Sequence, residues 1–148
     1  MYKRPIEYGN LHIHAVHNAF LKGLQELGEE CSDMIIAIYH FFTGWPTRSD
    51  DFNQCQRKVK VPQRKFMKHV PIRWLTIGEA ASRLIGQWPA LIEYFLEFVP
   101  KKNCLEYLMS NAKYLKIVSW LKKQTMKAEI EFIVSSAATF TAFTGVFQ

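Results

Sequence analysis

Prolines divide this chain into short segments, and apolar residues recur at helical spacing in most of them. Val16, Phe20, Leu24 and Leu27 fall three to four residues apart, which is the spacing of one helix face. A proline inside a helix removes a backbone hydrogen bond, so each proline limits where a helix can extend. The pattern predicts a mainly α fold, with at most one short strand near residues 11–14, where apolar residues and histidines alternate.

Polar residues that commonly cap helices predict where several of these helices start. The candidate caps are Ser32, Ser49, Thr76 and Asn103. Glu79 follows Thr76 by three residues and would complete a capping box. The last helix is expected to begin near residue 125.

Glycine and proline predict the interruptions between helices. The second helix should end at Gly44-Trp45-Pro46, and Pro89 should kink or divide the long helix in the middle of the chain. Pro100 is expected to end that helix. Trp88 and Trp120 lie on apolar helix faces, so both indoles are predicted to belong to the core.

Composition limits the class of protein. With 148 residues, 49% of them apolar, the chain can bury one core, and disorder is not expected. Three widely spaced cysteines and a first segment without an apolar run favour a reducing, intracellular compartment. The weakly charged run 132–148 is short for a bilayer span, so a core helix is predicted and no membrane partner. The formal charge of +6 favours anionic partners.

A basic segment, residues 59–75, is the strongest candidate for function. Two prolines predict an irregular conformation, and the chain has no acidic residue from position 52 through position 78. A guanidinium suits a phosphate, and a neighbouring indole suits an unpaired base. We predict nucleic-acid contact by Arg73, Trp74, Lys65, Lys68, Arg64 and Lys60. The alternatives are a solvated charged face and, for the indole, a place in the core. A second basic set, between residues 113 and 127, is interpreted as solvent-facing charge.

Other polar clusters give weaker indications of chemistry. His12, His14 and His17 are close in sequence and could bind a transition metal, but a structural role at a strand-to-helix junction is favoured. The acidic residues lie at helix starts or on exposed helix faces, where capping and contact with solvent explain their presence without a catalytic role. The sequence contains no phosphate-binding loop, nucleophile elbow or paired-histidine zinc motif. We therefore predict no metal, no cofactor and no autonomous active site.

Four segments, in this order, resemble the hAT superfamily of transposases and their domesticated relatives. His14 to Leu24 is similar to a family segment that contains HNAF, and Ile38 to Phe42 is similar to the helix that follows it. Arg73 to Thr76 resembles an Arg-Trp-Leu motif that ends in Ser or Thr. Gln87 to Phe95 resembles the family's QWPALxEYF segment. The resemblance is spread over most of the chain.

The resemblance implies a place for each part of the chain in a larger fold. Residues 1–58 would be the end of an RNase H-like domain with the helices that follow it. Residues 59–75 would be the basic loop, and residues 76–148 would begin an all-helical insertion. In the family, two aspartates upstream and one glutamate downstream carry catalysis, and this sequence has no counterpart of them.

The resemblance also implies roles for individual residues. His14, His17 and Asn18 correspond to motif residues of the family, whereas Leu11 stands where a cysteine is expected. The family's tryptophan beside the arginine is associated with DNA handling near the cleavage site. That role would carry over to Trp74.

These observations lead to one expected function and one alternative. We expect a transposon-derived, nuclear, DNA-binding protein or fragment of a hAT-like transposase, without catalysis of its own. The alternative is a domesticated protein–protein interaction or dimerisation module, in which exposed apolar helices dock a partner or a second copy. We also expect the apolar surface from Phe132 to Phe147 to be exposed and to promote self-association. The reason is that the last helix carries large apolar residues up to the end of the sequence, without a cap.

Overall fold

The computed structural model describes residues 6–27, 29–71, 75–102 and 109–145, apart from the side chains of residues 6–13, 75 and 143–145. The predicted mainly α fold is confirmed, and no strand occurs in these ranges. The helices are α1 (Ile6–Glu26), α2 (Glu30–Phe42), α3 (Pro46–Lys58), α4 (Leu75–Gly86), α5 (Trp88–Ile92), a π-helical segment (Glu93–Phe98), α6 (Val99–Lys102), α7 (Ala112–Lys122) and α8 (Met126–Gly145).

The strand expected near residues 11–14 does not form. These residues lie in the middle of the 21-residue helix α1, which begins at Ile6. A single strand leaves its backbone groups unpaired unless a second strand lies beside it, whereas a helix pairs them within the segment. The alternation of four residues is too short a signal to outweigh the helical pattern that surrounds it.

Two of the predicted caps lie inside helices instead. Helix α2 begins at Glu30 with Glu29 as its N-cap, so Ser32 falls in the first turn. Helix α3 begins at Pro46, four residues earlier than the expected start after Ser49. A proline at the first helical position loses no hydrogen bond there, and its fixed φ angle suits the helix.

The structure confirms the break predicted at Pro89 but not the helix end predicted at Pro100. Pro89 lies in the first turn of α5, and Gln87 separates this helix from α4. Pro100 does not end the helix, because α6 continues through it to Lys102. In the π-helical segment before it, the Val99 N–H donates to the Tyr94 carbonyl five residues back. This wider turn accommodates a proline that an ordinary α-turn would reject.

Helix α7 has a cap that the sequence analysis did not identify. The side chain of Asn111 accepts a hydrogen bond from the Tyr114 N–H at 3.0 Å, so the helix expected from Asn103 onward restarts here. Asn103 itself lies outside the described residues. Trp120 of this helix and Trp88 of α5 are both buried, which confirms their prediction as core residues.

An aromatic cluster forms the centre of the core. The Phe42 ring lies 4.9 Å from Phe52, 5.2 Å from Tyr94 and 6.1 Å from Phe95, measured between ring centroids. Phe41 lies 5.1 Å from Phe95. Tilted and edge-on ring pairs at such distances add stability beyond the apolar area that they bury. The cluster joins α2, α3 and the π-helical segment.

The exposure expected for residues 132–147 holds for only part of the side chains that the structure describes there, which end at residue 142. Phe132 is 57% exposed, but Ile133 and Ala137 are buried. Phe140 packs against the core, and its ring lies 4.8 Å from that of Phe20 in α1. Helix α8 therefore lies along α4 and α1 and covers core surface with most of its apolar residues. No helix in the described part of the chain combines the length and the apolar character needed to cross a bilayer.

The packing of α8 on α4 depends on the absence of a side chain at Gly78. A Cβ atom added there would lie 2.7 Å from the Ala137 Cβ, closer than two such atoms approach. We expect Gly78→Ala to lower the free energy of unfolding by about 1–3 kcal/mol, since the helices must separate or shift. Gly23→Ala is the matched control, because nothing lies within 4 Å of that position in α1. It should raise stability by about 0.5–1 kcal/mol.

Urea denaturation of both variants measures this difference. Adding Ala137→Gly to Gly78→Ala should recover part of the loss, because it removes the clashing atom. Equal effects of the two glycine substitutions would contradict the close approach of α4 and α8.

Candidate nucleic-acid interface

The basic segment, predicted to be irregular over residues 59–75, is irregular from residue 59 to residue 71, but Leu75 already belongs to α4. Residues 59 and 60 form a turn after α3, and residues 61–70 have no regular secondary structure. The turn is held by hydrogen bonds from the Val59 N–H to the Cys55 carbonyl and from the Lys60 N–H to the Arg57 carbonyl. Lys60 adopts a left-handed φ of 60°. This conformation is unfavourable for a lysine, so the surrounding contacts must hold it in place.

Two buried glutamines hold the backbone of this segment. The Gln56 Nε2 group donates to the Arg64 carbonyl at 3.0 Å and to the Gln87 Oε1 atom at 2.7 Å. The Gln87 Nε2 group donates to the Pro62 carbonyl at 2.9 Å. Both side chains are almost fully buried, so water cannot replace these bonds. Gln56 Oε1 is buried without a partner in the described structure, and the three bonds made by the amides offset that cost.

Two further contacts fix the segment beyond the glutamines. The Arg83 guanidinium of α4 donates to the Lys65 carbonyl at 2.7 Å. The Phe66 ring stacks on Phe42 at 5.4 Å and lies 5.2 Å from Phe52. Apolar anchoring and bonded carbonyls together place the segment across α3 and α4, although it has no secondary structure of its own.

Thr76 and His69 close the far end of the described segment. Thr76 was expected to cap α4, but it lies inside this helix, which begins at Leu75. Its hydroxyl lies 2.8 Å from the His69 Nδ1 atom and accepts from the Val70 N–H at 3.1 Å. The His69 ring is buried, and burial lowers the pKa of its imidazole below the ordinary value. The arrangement favours a neutral ring that accepts a hydrogen bond from Thr76.

This histidine predicts a pH dependence of stability. The unfolded chain takes up a proton at His69 near pH 6.5, whereas the folded chain takes it up only at lower pH. Below about pH 6.5 the unfolded state therefore binds more protons, and the free energy of unfolding falls as pH falls. We expect chemical denaturation between about pH 7 and pH 5 to show a steeper loss for the wild type than for His69→Gln. Equal slopes would mean that this imidazole is not held neutral by the fold.

The cations of the segment face solvent. The exposed ones are Lys60, Arg64, Lys65 and Lys68, here called the segment cations. None of them takes part in an ion pair with a described carboxylate. Elsewhere the lysines are more often paired: Lys58 bonds Glu93, and Lys102 bonds Asp51 at 2.6 Å. Like charges held on one short segment repel each other, and an anionic partner would relieve that repulsion.

Two of the predicted contact residues, Arg73 and Trp74, lie outside the described residues. The histidine motif lies on α1, away from the basic segment in sequence, with His14 and Asn18 exposed and His17 half-buried. Burial, followed by the charge of His14, lowers the pKa of His17. The side chain of His12 is outside the described part. Among the described side chains, no group of three or more His, Cys, Asp or Glu is arranged to hold a metal ion.

The buried cysteines are poor nucleophiles. Cys31 and Cys55 are both reduced and buried, as expected for ordinary core thiols. Burial raises the pKa of Cys31 to about 12, assisted by the charge of Glu129, and it raises the pKa of Cys55 to about 11. Thiolates at these positions are rare near neutral pH. Cys104 lies outside the described residues.

Trp45 is a residue of this surface that sequence reasoning missed. It had been assigned only to the turn that ends α2, yet its side chain is 56% exposed. It lines a groove of about 720 Å³ together with Arg64 and Lys65 of the basic segment. Thus an exposed indole lines the same groove as two segment cations, although it is not the indole that was predicted. An aromatic residue between two helix ends, with no apolar pattern to bury it, is the signal that could have found it.

No family model matches this chain, and neither a curated protein nor a solved structure shows significant similarity to it. An ordered segment can bind a polyanion when its cations are exposed, make no ion pair among the described side chains, and lie along an aromatic groove. It offers hydrogen-bond donors and positive charge.

Proposed function

We propose that this chain is a transposon-derived protein that binds DNA in the nucleus and does not cleave strands itself. The segment cations would contact backbone phosphates. One observation carries the proposal: four exposed cations, none of them paired with a carboxylate that the structure describes, lie on a segment whose backbone is bonded to buried side chains. Such a segment loses little conformational entropy on binding, because the fold has already ordered it.

The chemistry of these side chains suits phosphate. Arg64 offers a planar guanidinium that can bond two phosphate oxygens, and the lysines offer compact charges. Contacts of this kind release the counterions that surround the DNA phosphates, and they do not distinguish one base sequence from another. The proposal therefore predicts binding that is tight at low salt, weak at high salt and similar for different sequences.

The resemblance to hAT transposases supports the same surface. Arg73 and Trp74, the residues of the resembled Arg-Trp motif, follow the segment cations directly in the chain. The finer proposal is that the chain derives from an RNase H-like transposase domain with its helical insertion. Under that proposal, the DNA-binding surface would be retained while the catalytic carboxylates are not part of this sequence.

A second candidate function is a protein–protein interaction or dimerisation module. Large apolar side chains are exposed on the last helices, with Phe132 at 57% and Leu115 at 39%. Met109 is exposed to 63%. A partner or a second copy that covers them would gain apolar burial.

A mobility-shift titration separates the two candidates. We expect the full chain to shift a fluorescent duplex at about 50 mM salt and to release it at about 200 mM. The double variant Arg73→Ala, Trp74→Ala should bind more weakly. No shift at low salt, together with concentration-dependent dimerisation in sedimentation, would reject DNA binding in favour of the interaction module.

A further inference from the structure

The groove beside the basic segment combines aromatic and cationic side chains. Its aromatic lining includes Trp45, Tyr39 and Phe66, and its cations are Arg64 and Lys65. Its volume of about 720 Å³ lies within the range of about 300–1,000 Å³ that is typical of small-ligand sites. A groove that served only apolar packing would not need two exposed cations at its edge.

The indole is held in position by its neighbours. The Arg48 guanidinium lies 4.5 Å from the Trp45 ring and 4.1 Å from the Phe41 ring. The same guanidinium donates to the Phe41 carbonyl at 2.9 Å, which fixes it on the end of α2. Gly44, at φ 79°, and Pro46, in the first turn of α3, fix the backbone on either side of the indole. Trp45 is thus an ordered aromatic platform that remains more than half exposed.

Polar groups complete the groove. Ser49, Asp50 and Asn53 lie on the first turns of α3 and line the same space. A hydroxyl and an amide can bond the edge of any base, and a carboxylate can accept from a base amino group. The Asp50 carboxylate repels phosphate, so it favours an arrangement in which a base enters the groove and the phosphates lie toward Arg64 and Lys65.

We propose that this groove binds an unpaired base of single-stranded DNA, which stacks on Trp45 while Arg64 and Lys65 hold the adjoining phosphates. The inference rests on the proposed function, because it uses the same cations. It goes further in naming the substrate class. In a duplex the bases are stacked on each other and closed to an aromatic platform, so only single strands gain the stacking energy.

Fluorescence anisotropy with two labelled probes tests this inference on the full chain. The probes are a thymine oligonucleotide and a duplex of equal length, at the same low salt concentration. We expect Trp45→Ala to weaken binding of the single strand roughly tenfold or more and to change duplex binding less than about twofold. Trp45→Phe should retain most of the single-strand affinity, because it keeps an aromatic face. Phe132→Ala, at an equally exposed aromatic on α8, is the matched control and should change neither affinity.

The possible outcomes separate the two proposals. If the wild type binds neither probe, the proposed function fails, and this inference fails with it. If the wild type binds both probes and Trp45→Ala weakens both equally or neither, only the base-stacking groove is rejected. A Trp45→Ala variant that binds the single strand normally but loses self-association would assign the groove to protein contact instead. Thermal unfolding of Trp45→Ala near the wild-type midpoint confirms that any loss is local.

Discussion

Replacing all four segment cations with glutamine is expected to lower affinity for duplex DNA on the order of a thousandfold at about 0.1 M salt. Each lysine or arginine that meets a phosphate releases about one counterion, and four such contacts dominate the binding energy of a sequence-independent site. Glutamine is somewhat shorter than lysine or arginine but stays polar, so the fold should be unaffected at these exposed positions. Anisotropy titration of a labelled duplex measures the loss.

The matched control removes the same charge from elsewhere on the surface. Its substitutions, also to glutamine, are at Lys113, Lys116, Lys122 and Lys127, all exposed on α7 and α8. Both variants lose four of the six units of formal net charge. We expect the control to bind DNA within about fivefold of the wild type, because long-range attraction between exposed charges is screened. Equal losses in the two variants would show that total charge, rather than the basic segment, governs binding.

Removing the Gln87 side chain is expected to cost about 3 kcal/mol of stability. Gln87→Ala leaves the Pro62 carbonyl and one Gln56 N–H without the partners that they now have, and it opens a cavity among buried groups. The same change should loosen the basic segment, so DNA affinity should fall as well, although no cation is removed. Guanidinium denaturation gives the stability, and anisotropy gives the affinity.

Gln54→Ala is the control for this substitution. Gln54 lies on α3 like Gln56, but its side chain is exposed. It should change stability by less than about 0.5 kcal/mol and leave DNA binding intact. If Gln87→Ala were equally mild, the glutamine pair would not be what orders the segment.

The existence of the helices could be predicted from this sequence, and so could the start of the last one near residue 125, whereas the starts expected at Ser32 and Ser49 were wrong. Proline positions and helical spacing identified the division at Pro89 and the burial of Trp88 and Trp120. The starts failed because a serine is a cap only if the backbone bends there. At Pro46 the proline already sets the first turn, which leaves Ser49 inside the helix. Tertiary contact decided the role of Thr76, whose hydroxyl bonds His69.

The basic segment was predictable as irregular and exposed, but the groups that order it were not. Proline and charge are local signals, and they identified residues 59–75, of which residues 59–71 are irregular while Leu75 lies in α4. Gln56 lies in α3 and Gln87 lies between α4 and α5, 31 positions away, and nothing in either neighbourhood indicates that they pair. Whether two buried amides pair depends on which parts of the chain pack together. Local patterns in a single sequence do not reveal that. The grouping of Trp45 with Arg64 and Lys65 in one groove was not predictable either, since these two residues follow it by about twenty positions.

The salt dependence of duplex affinity tests the central claim most directly. The account predicts that log affinity falls against log salt concentration with a slope of roughly −3 to −4 for the wild type, one phosphate for each segment cation. The variant with all four cations replaced should give a much shallower slope than the wild type, because Arg73 is then the only one of the predicted phosphate contacts that remains. A wild-type slope near zero, or a variant that keeps the wild-type slope, would contradict the assignment of phosphate contacts to this segment.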